Sequence, residues 1–376
     1  MSFNPGLNRV TLANLADLPA GMAGTMAHEW LATWNIAPKM QAELGELVAA
    51  AGLAPLPDPV SPKTGFPAQV AASVLRPLIL LVSQKEGLGW LKNRFRRKMI
   101  QAQGQKVEAL KGYPLALNEA LKRGDAEAAA FAERMGIALA AVVATLNLAP
   151  PESRAARPEW PGEHWKQWQG VQQIVLGGGV LEGVLGQHIY AAACQWLARW
   201  GVTQVQLHLF SQPRSLMLHG AARQFQEGPV LVLDAGHSAL KRAVAEVSGG
   251  QVTKLELAPL LPTPYALSDG PALLKFLTEA LAQAVPAGQR ITQVAISLSA
   301  HLDQNGQIER ASADSSFYGL LVGLPLVDAL QKSLQARLGY SCSVKVLHEG
   351  QAAVNGLPGM DAALLLGTSV GGAFRA

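Results

Sequence analysis

Apolar positions along this chain follow two periods, and the changes from one to the other outline its elements. Between 124 and 150 an alanine-rich stretch keeps apolar residues at helical spacing, opens at an Asp cap and stops at Pro150, which predicts one long helix. Helical patterns also mark 26–51, 185–200, 271–284 and 324–338, with a further short helix within 214–225 and a buried helix at 70–85 interrupted near Pro77. Shorter apolar runs predict strands at 174–180, 205–209, 230–233, 291–298, 344–347 and 362–374, with a second strand returning from Leu240 to close a hairpin over 230–247. Residues 229–360 then have the order β-β-α-β-α-β-α, an α/β pattern. Between the periodic segments lie a stretch at 53–67, where five prolines forbid regular structure, and a loop holding Trp160, Trp165 and Trp168. Those aromatic side chains are expected to cover a surface rather than to stack on a ligand.

Composition narrows this picture. With 376 residues, 49% of them hydrophobic and 15% charged, the chain is too long for one simple core and suits two units of ordinary domain size. A net charge of +4 is modest for the length and argues against a nucleic-acid partner. The basic run at 92–98 is expected to be a solvated helix face. Cys194 and Cys342 lie far apart without metal-ligand spacing, which suits a reducing cytoplasm. The first 20 residues lack a basic start followed by a long apolar run, and the most apolar short run, 78–82, falls far short of the roughly 20 residues that span a bilayer. A soluble cytoplasmic protein without a membrane partner is therefore expected.

Three glycine-containing turns end apolar runs. In the 230–247 hairpin, Gly236 lets a ligand approach the backbone, His237, Ser238 and the successive amides can hold an anion, and Asp234 can hold the metal that accompanies a phosphate. The same residues also suit an ordinary hairpin whose Asp and Gly only shape the turn. The second cluster is Gly177, Gly178 and Gly179. The third comprises Gly367, Thr368, Ser369, Gly371 and Gly372. Each exposes backbone N–H groups where a nucleotide must come close without meeting a side chain.

Together with 347–356, these three clusters resemble the actin-like sugar kinases, most closely the ROK family (repressor, open reading frame, kinase), over most of 124–376. The resemblance makes Asp234 to Ser238 the first phosphate motif, Gly367 to Gly372 the second, and Gly177 to Gly179 the adenosine motif. Here the adenosine motif comes first and the chain stops after the second phosphate motif, which looks like a circular permutation of a two-lobed actin-like (ribonuclease H-like) α/β ATPase fold. On that reading 1–228 and 361–376 form one lobe and 229–360 the other.

The resemblance implies ATP and Mg²⁺ as cofactors, Asp234 as the metal ligand, and ATP-dependent phosphorylation of a sugar-like hydroxyl between the lobes. Glu349 is the implied base, with Asp303, His348 and Glu349 at the substrate. The family has an Asn-Asp pair where this chain has His348 and Glu349, and glycine where it has Ser369; Ser299 and Ala300 replace a Pro-Gly pair, and the family's zinc-binding cysteine cluster is absent. The extra methylene of Glu349 displaces the carboxylate, and misplacement by about a bond length can cost ~100-fold in rate. The alternative is a non-catalytic nucleotide or sugar sensor of the same fold. A transcriptional regulator is disfavoured because 1–51 shows no helix-turn-helix. Expected partners are a nucleotide and a small sugar-like molecule, and a homodimer is compatible with them.

Overall fold

A computed structural model describes residues 6–56, 104, 107, 109–303, 305–310 and 316–375. Most of the Pro-rich stretch at 53–67, the helix expected at 70–85 with its apolar run at 78–82, the basic run at 92–98 and the terminal Ala376 lie outside the described residues. The 26–51 stretch is three short helices, α1 (Ala27–Leu31), α2 (Thr33–Glu43) and α3 (Gly45–Ala50), rather than one. It breaks at Ala32, which is extended (φ −93°, ψ 136°), because Thr33 donates from both its backbone N–H and its hydroxyl to the carbonyl of Gly367, at 2.9 and 2.8 Å. A tertiary contact here overrides local helix propensity.

Helices α4 (Gly112–Lys122) and α5 (Ala126–Leu148) follow. The Asp125 carboxylate caps α5 by accepting from the Ala128 N–H at 2.9 Å. From Met135 to Asn147 every residue of this helix is buried, because that part is surrounded by protein. Among the described residues it is the one helix long and apolar enough to cross a membrane, and 78% of its apolar window is buried inside the fold. After α6 (Pro151–Ala155), two of the three tryptophans expected in a loop, Trp165 and Trp168, instead stand on α7 (Gly162–Gly170), while Trp160 lies in the bend before it. Trp165 and Trp168 are 2% and 1% exposed, and Trp168 packs 4.5 Å from Phe374, so they are core residues and not a surface cover.

The chain then alternates through β1 (Gln173–Gly177), α8 (Gly183–Arg199), β2 (Gln206–Leu209) and α9 (Leu216–Ala222). Four strands follow in succession, β3 (Gly228–Ala235), β4 (Ala239–Ser248), β5 (Gln251–Leu257) and β6 (Leu261–Pro262). Next come α10 (Gly270–Ala282), β7 (Gln293–Leu298), α11 (Leu326–Leu338), β8 (Ser343–His348), α12 (Glu349–Asn355), β9 (Ala362–Leu366) and β10 (Val370–Phe374). The molecule is thus mixed α/β, built on two sheets. One has the order β10-β9-β1-β2, with β1 parallel to both β2 and β9; the other runs β5-β4-β3-β7-β8, with β6 added to β4. Strand β9 pairs with β1, so the end of the chain returns to the sheet that its first strand began.

Helices α9 and α12 lie between the sheets, in a core that joins Val175 and Leu365 of one sheet to Val232 and Ala295 of the other. They cross at Gly220, where a Cβ would stand 1.6 Å from the Ala352 carbonyl oxygen. That distance admits no side chain. Gly220→Ala is expected to destabilise the protein by about 3 kcal/mol through overpacking. Gly162→Ala, at a helix start with open space around it, should change stability by no more than about 1 kcal/mol, in the favourable direction. Urea unfolding of the two variants beside the parent measures both.

Candidate active site

Two cavities meet at the tips of the β3/β4 and β9/β10 hairpins. The larger, about 470 Å³, has an apolar wall of Leu110, Leu115, Val180 and Leu185, and a polar side formed by Ser238, Lys241, Arg214, Gly367 and Thr368. The smaller, about 190 Å³, is lined by His237, Ser299, His301, His348, Glu349 and Ser369. Ser238 faces the first and His237 the second; Thr368 and Ser369 are divided in the same way. The hairpin tips therefore form the partition between the cavities.

Both tips are held by hydroxyl groups. The Tyr318 and Thr263 hydroxyls each donate to the Gly236 carbonyl at 2.9 Å, and the Tyr265 hydroxyl donates to that of His237 at 2.6 Å. A trans peptide directs each following N–H away from its carbonyl, so these bonds fix the amides of His237 and Ser238 on the side opposite the hydroxyls. Burial pushes the Tyr265 phenol up to about 12 and that of Tyr318 well above its usual range, which keeps both as donors at neutral pH. The second tip is held by Thr33 at Gly367 and by Asn8, whose Oδ1 accepts from the Val370 N–H at 2.7 Å.

The glycine triplet divides by role. Gly178 has φ +102°, and a Cβ there would stand 2.2 Å from the Leu366 carbonyl oxygen, so it serves close packing of β1 on β9. Gly179 lines the larger cavity with open space at its Cβ position, whereas Gly177 and Gly178 do not line it.

Glu349, the first residue of α12, is half-buried, and its Oε2 accepts a hydrogen bond from the Ser299 hydroxyl. Its Oε1 lies 3.9 Å from the position a Gly371 Cβ would take. His348 stacks on His301 with ring centroids 4.6 Å apart. Its Nδ1 accepts from the Gly350 N–H at 3.1 Å, which leaves Nε2 as the protonated nitrogen. Burial pushes both rings down to about 4. Burial also lowers His237, against the opposing pull of Glu349. The three rings are therefore neutral at pH 7.

Asp234, expected to hold Mg²⁺, is 1% exposed and lines neither cavity. Its Oδ1 accepts from the Ser297 hydroxyl at 2.7 Å and its Oδ2 from Lys241 Nζ at 2.5 Å. Among the described residues no cluster of three His, Cys, Asp or Glu could hold a metal. A carboxylate engaged on both oxygens, one of them by an ammonium, does not fit direct ligation of a divalent cation. Asp303, expected near the substrate, is exposed and lines neither cavity; its Oδ1 accepts from the N–H groups of Asn305 and Gln307 and so holds its own turn.

The sequence reading did not find Lys241, Arg214, His301, Asn8 or Thr33. A signal existed for Lys241, because two strands joined by a short turn place a residue seven positions on directly opposite Asp234.

The histidines give a pH prediction. His301, His348 and His164 are each depressed to about 4 from 6.5. The unfolded chain therefore binds more protons than the folded one between these values, and stability falls as pH drops through that window. Melting temperature should decline from about pH 6.5 toward pH 4 and be insensitive to these groups above pH 7. His301→Gln should make the decline shallower. No protein-family model matches this chain, and no curated protein matches it.

Proposed function

We propose that the protein transfers the γ-phosphoryl group of ATP to a hydroxyl of a small, uncharged, sugar-like molecule. The observation that carries this is the partition: two glycine-bearing hairpin tips separate a large cavity, with an apolar wall and cationic groups, from a small polar cavity that contains one carboxylate. Phosphoryl transfer requires such a division, with the nucleotide on one side, the acceptor on the other and backbone amides where charge develops.

In this reading the apolar wall takes the adenosine, and the tips at Gly236 to Ser238 and Gly367 to Ser369 hold the phosphates. Glu349 accepts the proton of the attacking hydroxyl as its oxygen bonds to phosphorus and ADP departs. Ser299 fixes one carboxylate oxygen and leaves the other to act as base. Mg²⁺ is assigned no step, since Asp234 is already engaged.

The two sheets, with the helix pair α9 and α12 between them, support a two-lobed actin-like fold for this reading. The pairing of β9 with β1 across the intervening sheet supports the permuted order. The character of the acceptor follows from charge. No Lys or Arg is among the described residues lining the smaller cavity, and its histidines are neutral at pH 7. Sugar phosphates and sugar acids would meet a carboxylate without a compensating cation.

A second reading, a non-catalytic nucleotide or sugar sensor, is favoured by the engagement of both Asp234 and Glu349 with neighbouring side chains. A coupled ADP-release assay over neutral hexoses and N-acetylhexosamines, beside sugar phosphates, separates the two. Turnover is expected on at least one neutral acceptor and on no phosphorylated one, with kcat reduced about 100-fold or more in Glu349→Gln. Stabilisation by ligands with no product above the Glu349→Gln level would establish the sensor instead, because binding to the folded state raises stability whether or not reaction follows.

A further inference from the structure

Asp234 and Lys241 face one another across the β3/β4 ladder, and they stand differently toward the larger cavity. Lys241 lines it beside Ser238, whereas Asp234 lies behind, 1% exposed and absent from the lining. The lysine side chain is 15% exposed, and its ammonium is held 2.5 Å from Asp234 Oδ2; Ser297 holds the other oxygen. A divalent cation ligated by this carboxylate would sit about 2.0–2.1 Å from one of its oxygens. It would then crowd an ammonium already in place, with little water to screen the repulsion. Of this ion pair, only the lysine lines the cavity. Arg214, Lys111 and Glu182 line the cavity too, and the Glu182 carboxylate accepts from the Arg214 backbone N–H at 3.0 Å. Among the described residues that line the cavity, Lys241 is the cation carried by the β3/β4 hairpin itself.

We propose that Lys241, oriented by Asp234 and Ser297, is the charge that meets the nucleotide's phosphates where a carboxylate-bound metal would otherwise stand, so that the protein binds metal-free ATP. An ammonium is a compact point charge suited to phosphate oxygens, and its pairing with a buried carboxylate fixes its position before the nucleotide arrives. The inference rests on the larger cavity being the nucleotide site.

Calorimetric titration of the full chain with adenosine, with ATP in EDTA and with ATP in excess Mg²⁺ tests it. ATP in EDTA should bind at least as tightly as ATP with Mg²⁺. Asp234→Asn keeps a side-chain oxygen to accept from Lys241 but removes the negative charge that competes with the phosphates for it, and should tighten binding of metal-free ATP by about tenfold, a difference of about 1.4 kcal/mol, with adenosine unaffected. Lys241→Met alone would leave a buried carboxylate unpaired and threaten folding. The double variant Asp234→Asn, Lys241→Met removes both charges, and it should bind ATP at least tenfold more weakly than Asp234→Asn while binding adenosine equally well. ATP binding that requires Mg²⁺ and disappears in Asp234→Asn would overturn the proposal in favour of a metal on Asp234, and so would a double variant that binds ATP as Asp234→Asn does. Failure of both adenosine and ATP to bind under any condition would overturn the nucleotide reading of the cavity, and this proposal with it.

Discussion

The crossing of α9 over α12 at Gly220 sets the separation of the two sheets, and the position of every group in the cleft depends on it. With a carbonyl oxygen 1.6 Å from where a Cβ would be, the helices approach backbone to backbone. Side chains from both sheets then close on the pair as one core. Glu349 follows directly on β8 and begins α12, so its carboxylate moves with that helix. Gly350 continues the close packing, since a Cβ there would stand 2.8 Å from the Ala373 side chain of β10. One helix is thus fitted against another helix on one side and against the second hairpin on the other, which places Glu349 beside Gly371 without a dedicated loop.

The hairpin tips need separate support, because glycine-rich turns carry few contacts of their own. The first tip obtains it from Thr263, Tyr265 and Tyr318, whose hydroxyls grip two successive carbonyls. The second obtains it from the other end of the chain, through Thr33 and Asn8. Residues 6–56, in which the sequence shows no motif, thereby fix the geometry of a turn more than 300 positions away. The break at Ala32 serves the same end, because a continuous helix would leave the Thr33 N–H bonded to its own helix.

Charge divides along the same partition. Lys111, Lys241 and Arg214 outnumber the one carboxylate, Glu182, that lines the larger cavity, while the smaller holds neutral imidazoles, serine hydroxyls and a single carboxylate. Burial enforces that neutrality, since a protonated imidazole there would have to give up hydration without full recompense. Asp234 behind the larger cavity and Glu349 in the smaller one are each tethered by a neighbour, Lys241 and Ser299 respectively. A small set of long-range contacts therefore orients the groups on both sides of the tips.

The sequence by itself determined the elements whose pattern is written locally. Helix α5 was legible from its Asp cap, its apolar run and Pro150; the β3/β4 hairpin from two apolar runs flanking Gly236; and β1, β7 and β9 from short buried runs, because burial of a whole strand leaves an unbroken apolar signature. Strand β5 was missed because it is an edge strand with most of its residues exposed, so no face of it reads as core. Trp165 and Trp168 looked like loop residues because the prolines before them hid a helix whose partner, Phe374, lies near the other end of the chain. The candidate site was half legible: glycine and acidic residues mark where a backbone turns and where chemistry is available, but not what a side chain touches. Lys241 opposite Asp234 was within reach of the hairpin register, whereas Glu349 against Ser299, His348 on His301 and Thr33 on Gly367 were decided by the tertiary structure alone. Each of these three joins segments far apart in sequence that meet only when strands or lobes assemble, and periodicity along a chain carries no record of such meetings.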